Sequence, residues 1–177
     1  MSYFVSDMLT LIEPETKKIK EIIGDDKADC AIADVSRPSL SGFNLKVRIR
    51  KPSVTEPTWI GESQYAAFQL TQFPGNCGIL VSHDTSVDVS WRNKGISTIL
   101  QDMKEKLARY CNYTMMYATT IPTNEHEIKV LTKKGWTKAP ELFIFTNRRS
   151  GNPITLWWKP VPKAEETKTV QAAPIAA

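Results

Sequence analysis

The sequence predicts a mixed α/β (α+β) domain with a mostly antiparallel central sheet flanked by helices, and three features carry that expectation. Short runs rich in β-formers recur along the chain, one of them in strict apolar/polar alternation. Two longer stretches repeat apolar residues at helical spacing, one near the N-terminus and one after Gly95. The elements follow the order helices, three strands, helix, strand, helix, two strands, which suits one main sheet.

At the N-terminus, residues 8–12 and 16–23 read as helical, divided near Pro14 and stopped by Gly24. Phe43, Leu45, Val47 and Ile49 alternate with Asn44, Lys46, Arg48 and Arg50, the pattern of a strand with one wet face. Pro52 and Pro57 frame a loop, and Ala66, Phe68 and Leu70 begin the next strand. The Pro-Gly turn in "FPGN" (73–76) predicts a hairpin to a strand running from Cys77 to about Val89.

From Ile96 the apolar positions continue through Ile99, Leu100, Met103, Leu107 and Tyr110, one face of an amphipathic helix. "YTMMYAT" (113–119) reads as a mostly buried strand closed by Pro122. Asn124 can cap a following helix, with Glu127 three residues on, and Gly135 stands where a left-handed C-terminal cap is needed. "LFIFTN" and "ITLWWK" flank a polar turn as a last strand pair. Residues 1–162 are expected to form a single domain ending at Pro160 and Pro162, and residues 163–177 a flexible tail without periodicity.

A chain of 177 residues, 41% hydrophobic and 24% charged, is long enough to bury a real core and ordinary for a soluble protein. No apolar run approaches a membrane span, and "MSYFVSDMLT" lacks the plan of a signal peptide. Cys30, Cys77 and Cys111 are odd in number and widely spaced, so neither a disulfide framework nor a metal site is implied, and a reducing cytoplasm fits best. The net charge is +4, with twelve Lys and Arg against seven Asp and Glu in residues 79–160. That excess suits an anionic ligand, whereas a nucleic-acid surface would call for a basic block interleaved with aromatics.

"SWRNKGIST" (90–98) places Arg92, Lys94 and Gly95 at a helix start, where unpaired N–H groups and the macrodipole favour an anion. An ordinary loop into a surface helix would also explain the stretch. Taken with its flanks, the passage resembles the GNAT superfamily of acyl-CoA N-acyltransferases, whose phosphate loop reads Gln/Arg-x-x-Gly-x-Gly/Ala. "SVDVSWRNKGIS" is similar to that family's strand end and loop, with Ser97 in place of the usual small residue, and "NEHEIKVLTKKGWTK" to its later helix and Gly-aromatic. The resemblance covers residues 66–160 best.

That resemblance implies direct transfer of an acetyl group from acetyl-CoA to a primary amine, without a metal. The acceptor is a small molecule, a peptide or a protein; an aminoacyl-RNA stays open, a membrane does not, and a homodimer is compatible. The pyrophosphate would lie on Arg92, Asn93, Lys94, Gly95, Ile96 and Ser97. The pantetheine arm would bond to backbone near Thr85 and Val87, between parted fourth and fifth strands, with Asn124 as either ligand or helix cap. His83 is the candidate base or a satisfied strand-face histidine, and His126 is expected to be exposed. Tyr117 is a candidate acid or a packing residue, because Leu131 stands where the family often has a tyrosine. Of Trp157 and Trp158, at least one should face outward, to line an acceptor site or simply to pack. Two classes of function stay open: an N-acetyltransferase, and a binding or structural protein of weak catalysis on the same fold.

Overall fold

The computed structural model describes residues 3–33, 42–52, 64–73, 75, 78–140, 145–146 and 151–163. The chain opens with helix α1 (Tyr3–Ile23), whose Met8, Ile12, Ile19 and Ile23 enter the core. The expected break near Pro14 does not occur, and α1 is continuous. Pro14 is exposed, so water can take the carbonyl that proline leaves without a donor. Gly24 ends the helix at φ 70°, its N–H donating to the Lys20 carbonyl at 2.8 Å.

Four antiparallel strands follow: β1 (Asp29–Ala33), β2 (Asn44–Arg50), β3 (Gln64–Gln72) and β4 (Ile79–Val87). The sequence predicts three here; β1 is a short edge strand without alternation and escapes the pattern. The alternation in β2 is real, with Leu45, Val47 and Ile49 fully buried. The hairpin from β3 to β4 forms with Gln72 opposite Leu80, so β4 begins at Ile79, and Val89 belongs to the short 3₁₀ turn Val89–Trp91. Cys77, the Pro57 loop and the 164–177 segment lie outside the described residues.

Helix α2 (Ile96–Tyr110) then crosses to β5 (Met115–Thr120), which runs parallel to β4. Helix α3 (Glu125–Lys133), β6 (Thr137–Lys138), β7 (Phe145–Thr146) and β8 (Pro153–Pro160) complete the chain. The sheet order is β1-β2-β3-β4-β5-β8-β6, with β7 also on β8. Buried residues of the long strands join the helices' apolar stripes in a single cluster: Leu45, Phe68, Leu80, Met116 and Trp157 meet Ile12, Leu100 and Leu131. Burying each such side chain stabilises the fold by about 1.5–3 kcal/mol. Lys106 on Glu15 at 2.8 Å and Tyr110 on Asp7 at 3.1 Å fix α1 against α2. The fold is therefore a mixed α/β domain with one mostly antiparallel sheet, as expected.

Candidate functional site

Strands β4 and β5 pair from Ile79 opposite Met115 to Ser82 opposite Ala118, and no further. Beyond that point β4 stays held by β3, with Val87 opposite Ala66, and β5 by β8, with Thr120 opposite Thr155. The two central strands thus part while each keeps its other neighbour. A β-bulge helps to turn β4 away: its register against β3 shifts between Gln69 opposite His83 and Ala67 opposite Ser86, and Asp84 there takes φ 45°.

At the end of β4, Asp88 accepts from the Ser90 N–H at 2.9 Å and from Lys51 Nζ at 2.8 Å. The Lys51 bond, with the Ser90 N–H behind it, holds the Asp88 carboxyl below its ordinary value of 3.8. Arg92 Nε donates to the Val87 carbonyl at 3.2 Å, and Lys94 Nζ sits 4.1 Å over the Trp91 ring. Asn93 at φ 63° and Gly95 at φ 86° are both left-handed, so the loop turns abruptly into α2. No side chain caps α2, and its first turn holds no acidic residue. Its leading N–H groups and dipole remain available to an anion, with two cations beside them. A cavity of about 420 Å³ opens alongside, lined in part by Lys51, Ser86, Val87 and Arg92.

Helix α3 meets this end of α2, with Ser97 Oγ 3.4 Å from His126 Nε2. Asn124 caps α3, its Oδ1 accepting from the Glu127 N–H at 3.2 Å. The Glu127 side chain turns instead to Gln101 Nε2 at 3.5 Å. Gly135 adopts φ 73°, and the Trp136 N–H returns to the Leu131 carbonyl at 3.0 Å, as a left-handed cap requires.

Of the sequence-predicted residues, Arg92 to Ser97, Val87 and Asn124 are gathered at the starts of α2 and α3. His83 is exposed on β4 just past the last β4–β5 pair, its Nε2 2.7 Å from Thr71 Oγ1. Partial desolvation of its ring, although the side chain reaches solvent, holds its pKa below 6.5, against the pull of Asp84 and with the help of the Lys104 charge. Tyr117 pairs with Val81, before the strands part, and stacks edge-on to Phe73 at 6.2 Å. His126 is exposed, as expected. Trp157 is a core residue whose Nε1 donates to Thr120 Oγ1 at 3.0 Å, and Trp158 is only half-buried. Leu131 is fully buried in the core.

Lys104 is the residue that sequence reasoning missed. It is fully buried on α2, donating to Thr85 Oγ1 at 2.6 Å. Desolvation draws its pKa down to about 8, although the Glu127 carboxylate pulls the other way. Its position was readable: Lys104 follows Leu100 by four residues and precedes Leu107 by three, inside the buried arc rather than on the wet face. Burial pushes the Cys111 thiol up to about 12, away from the thiolate form.

The same architecture recurs in solved acyltransferase structures. The chain is similar to a protein assigned as an acyl-CoA N-acyltransferase from Klebsiella pneumoniae, at 14% identity and TM-score 0.52 over 86% of this chain and 88% of that one. It is also similar to a GNAT-family acetyltransferase from Staphylococcus aureus, at 12% identity and TM-score 0.51 over 67% and 68% of the two chains. A protein assigned to the same family from Desulfovibrio desulfuricans gives 11% identity and TM-score 0.53 over 67% and 69%. No protein-family model matches the sequence, and no curated protein sequence is significantly similar. The fold is that of the GNAT acyltransferases.

Proposed function

We propose that the chain is an N-acetyltransferase that moves an acetyl group directly from acetyl-CoA to a primary amine. The observation that carries this is the parting of β4 and β5 beside an uncapped helix start, within a fold shared with acyltransferases. Arg92, Lys94 and the N–H groups of residues 93–97 would hold the pyrophosphate, and backbone at Thr85 and Val87 the pantetheine arm. When bound, the thioester supplies an activated acyl carbon. The chain's own share is to align it with the amine and to move protons. Free Cys30 and Cys111 suit a reducing cytoplasm, and the acceptor is a small molecule, a peptide or a protein.

His83 is the proposed base. Its lowered pKa leaves the imidazole neutral at pH 7, able to take the amine proton. The rate should therefore rise with pH through a value below 6.5 and be past that rise by neutral pH. His83→Ala should remove that rise and lower kcat roughly 10²-fold while leaving acetyl-CoA affinity unchanged.

Calorimetry with acetyl-CoA, followed by turnover on a panel of amines, tests the whole proposal. Binding with acetyl transfer to at least one amine supports it, and no binding at millimolar acetyl-CoA overturns it. A second reading, a binding protein on the same fold, is favoured by Leu131 lying fully buried where the resembled family often has a tyrosine. Binding without transfer to any amine would select that reading.

A further inference from the structure

Beneath the parted strands, α2 turns two polar side chains into the core and a third toward its open end. Ser97, Gln101 and Lys104 follow one another at i, i+4 and i+7, along a single face of the helix. Ser97 stands at the open end beside His126. Gln101 is 1% exposed, and its Oε1 has no hydrogen-bond partner. Lys104 is 0% exposed; its ammonium has three N–H donors, of which Thr85 Oγ1 accepts one, and the Phe68 ring lies 5.5 Å away.

Buried amide oxygens and ammonium groups are costly unless paired. An unpartnered oxygen and spare N–H donors on one buried face therefore point to a polar guest between them and the strands. Thr85 lies in the β4 bulge opposite Phe68, where the ladder breaks and β5 has already left. Lys104 thus approaches the bulge from the helix side. His83, two residues before Thr85, is exposed on β4 and close enough for the two charges to interact.

Resting on the acyltransferase reading above, we infer that Lys104 is a catalytic residue, the proton donor to the thiolate that leaves in acyl transfer. As the amine nitrogen bonds to the acyl carbon, the carbon–sulfur bond breaks and its electron pair goes to sulfur. Lys104 Nζ gives that sulfur a proton, and the proton shed by the amine nitrogen leaves through His83 to solvent. Lys104 then regains a proton from solvent, so an amine and a thioester become an amide and a thiol. The role fills the place that Leu131 leaves empty.

Among the described residues, the charges that act on this pair are Asp84 on β4, beside His83, and Glu127 on α3, beside Lys104, and β3 presents the Phe68 ring. Burial brings the ammonium down to about 8, acidic enough to be a useful donor, and the Glu127 carboxylate opposes that shift. His83 and Lys104 then form an unlike pair, a neutral base on the open side and a charged acid on the helix side.

The test titrates coenzyme A bound to the full chain, following its thiolate absorbance in the ultraviolet against pH, for the parent and for Lys104→Met. Methionine keeps the length and the helix preference while removing the charge, and circular dichroism checks the fold. With the ammonium at the sulfur, the bound thiol should titrate about 1–3 pH units higher in the variant than in the parent. Equal thiol titration in the two proteins would overturn the assignment and leave the acyltransferase reading standing. Failure of coenzyme A to bind the parent would overturn both. Should Lys104→Met not fold, Lys104→Arg keeps the charge but not a transferable proton; kcat falling roughly 10²-fold supports the assignment, and parental kcat overturns it.

Discussion

Helix α2 follows β4 and helix α3 follows β5, and the two begin in opposite ways. Helix α3 closes its own first turn: Asn124 caps it, and Glu125 and Glu127 set negative charge against its dipole. Helix α2 starts from a left-handed glycine, with no side-chain cap and no acid, and has Arg92 and Lys94 just before it. An unsatisfied helix start costs stability that a cap typically returns at about 1 kcal/mol. In the proposed site, two helices a few ångströms apart at Ser97 and His126 divide the work, one satisfied internally and one left for an anion.

The comparison breaks most completely at Gly95. A valine there would face no steric neighbour, since a Cβ meets nothing within 4 Å, but would have to adopt φ 86°. That strain costs roughly 1–3 kcal/mol and turns the loop's N–H groups out of line. Gly95→Val should stay folded with a lower Tm and lose the acetyl-CoA-dependent rise in Tm, which otherwise follows RT ln(1 + [L]/Kd). Differential scanning fluorimetry with and without acetyl-CoA reads both effects, and an undiminished ligand shift would remove the loop from the site.

A smaller effect follows from making α2 start as α3 does. Ser97→Glu places a carboxylate in the first turn, which should stabilise the unliganded helix by about 0.3–1 kcal/mol. The same charge repels a pyrophosphate and should weaken acetyl-CoA about tenfold, close to 1.4 kcal/mol. Stability and affinity then move in opposite directions. Added salt should shrink the affinity loss, because exposed charges are screened. Calorimetry at two ionic strengths would show it, and parallel changes in stability and affinity would contradict the division of work.

Much of this contrast was legible in the sequence because it depends on local chemistry. Gly95 before an amphipathic run, Asn124 three residues ahead of Glu127, and Gly135 after the last turn each announce a helix end. The alternation in β2 was equally plain, since one face of an antiparallel strand is packed and the other wet. What escaped depends on distant partners. β1 exists because β2 offers it an edge, and the two-residue β6 because β8 does. Pro14 reads as a break, yet packing of Met8, Ile12 and Ile19 carries α1 through it. The place of Lys104 in the buried arc of α2 was readable, but its partners Thr85, Phe68 and Glu127 come from distant elements. Trp157 and Trp158 could not be told apart until Thr120 engaged the first.

The finest test of the contrast is at Asn124, where one side chain could serve both helix starts. Its Oδ1 is committed to the Glu127 N–H, but the amide also carries N–H donors that a cap does not use. Aspartate caps as well as asparagine, so Asn124→Asp should hold stability within about 0.5 kcal/mol of the parent. It replaces the donors with an acceptor, however, and one lost hydrogen bond of about 1 kcal/mol would weaken acetyl-CoA about fivefold. Asn124→Ala removes both functions and should lose about 1 kcal/mol of stability together with that affinity. Thermal melts and calorimetry on the pair separate the two roles. If Asn124→Asp binds acetyl-CoA as the parent does, Asn124 belongs to α3 alone, and the anion site ends with the first turn of α2.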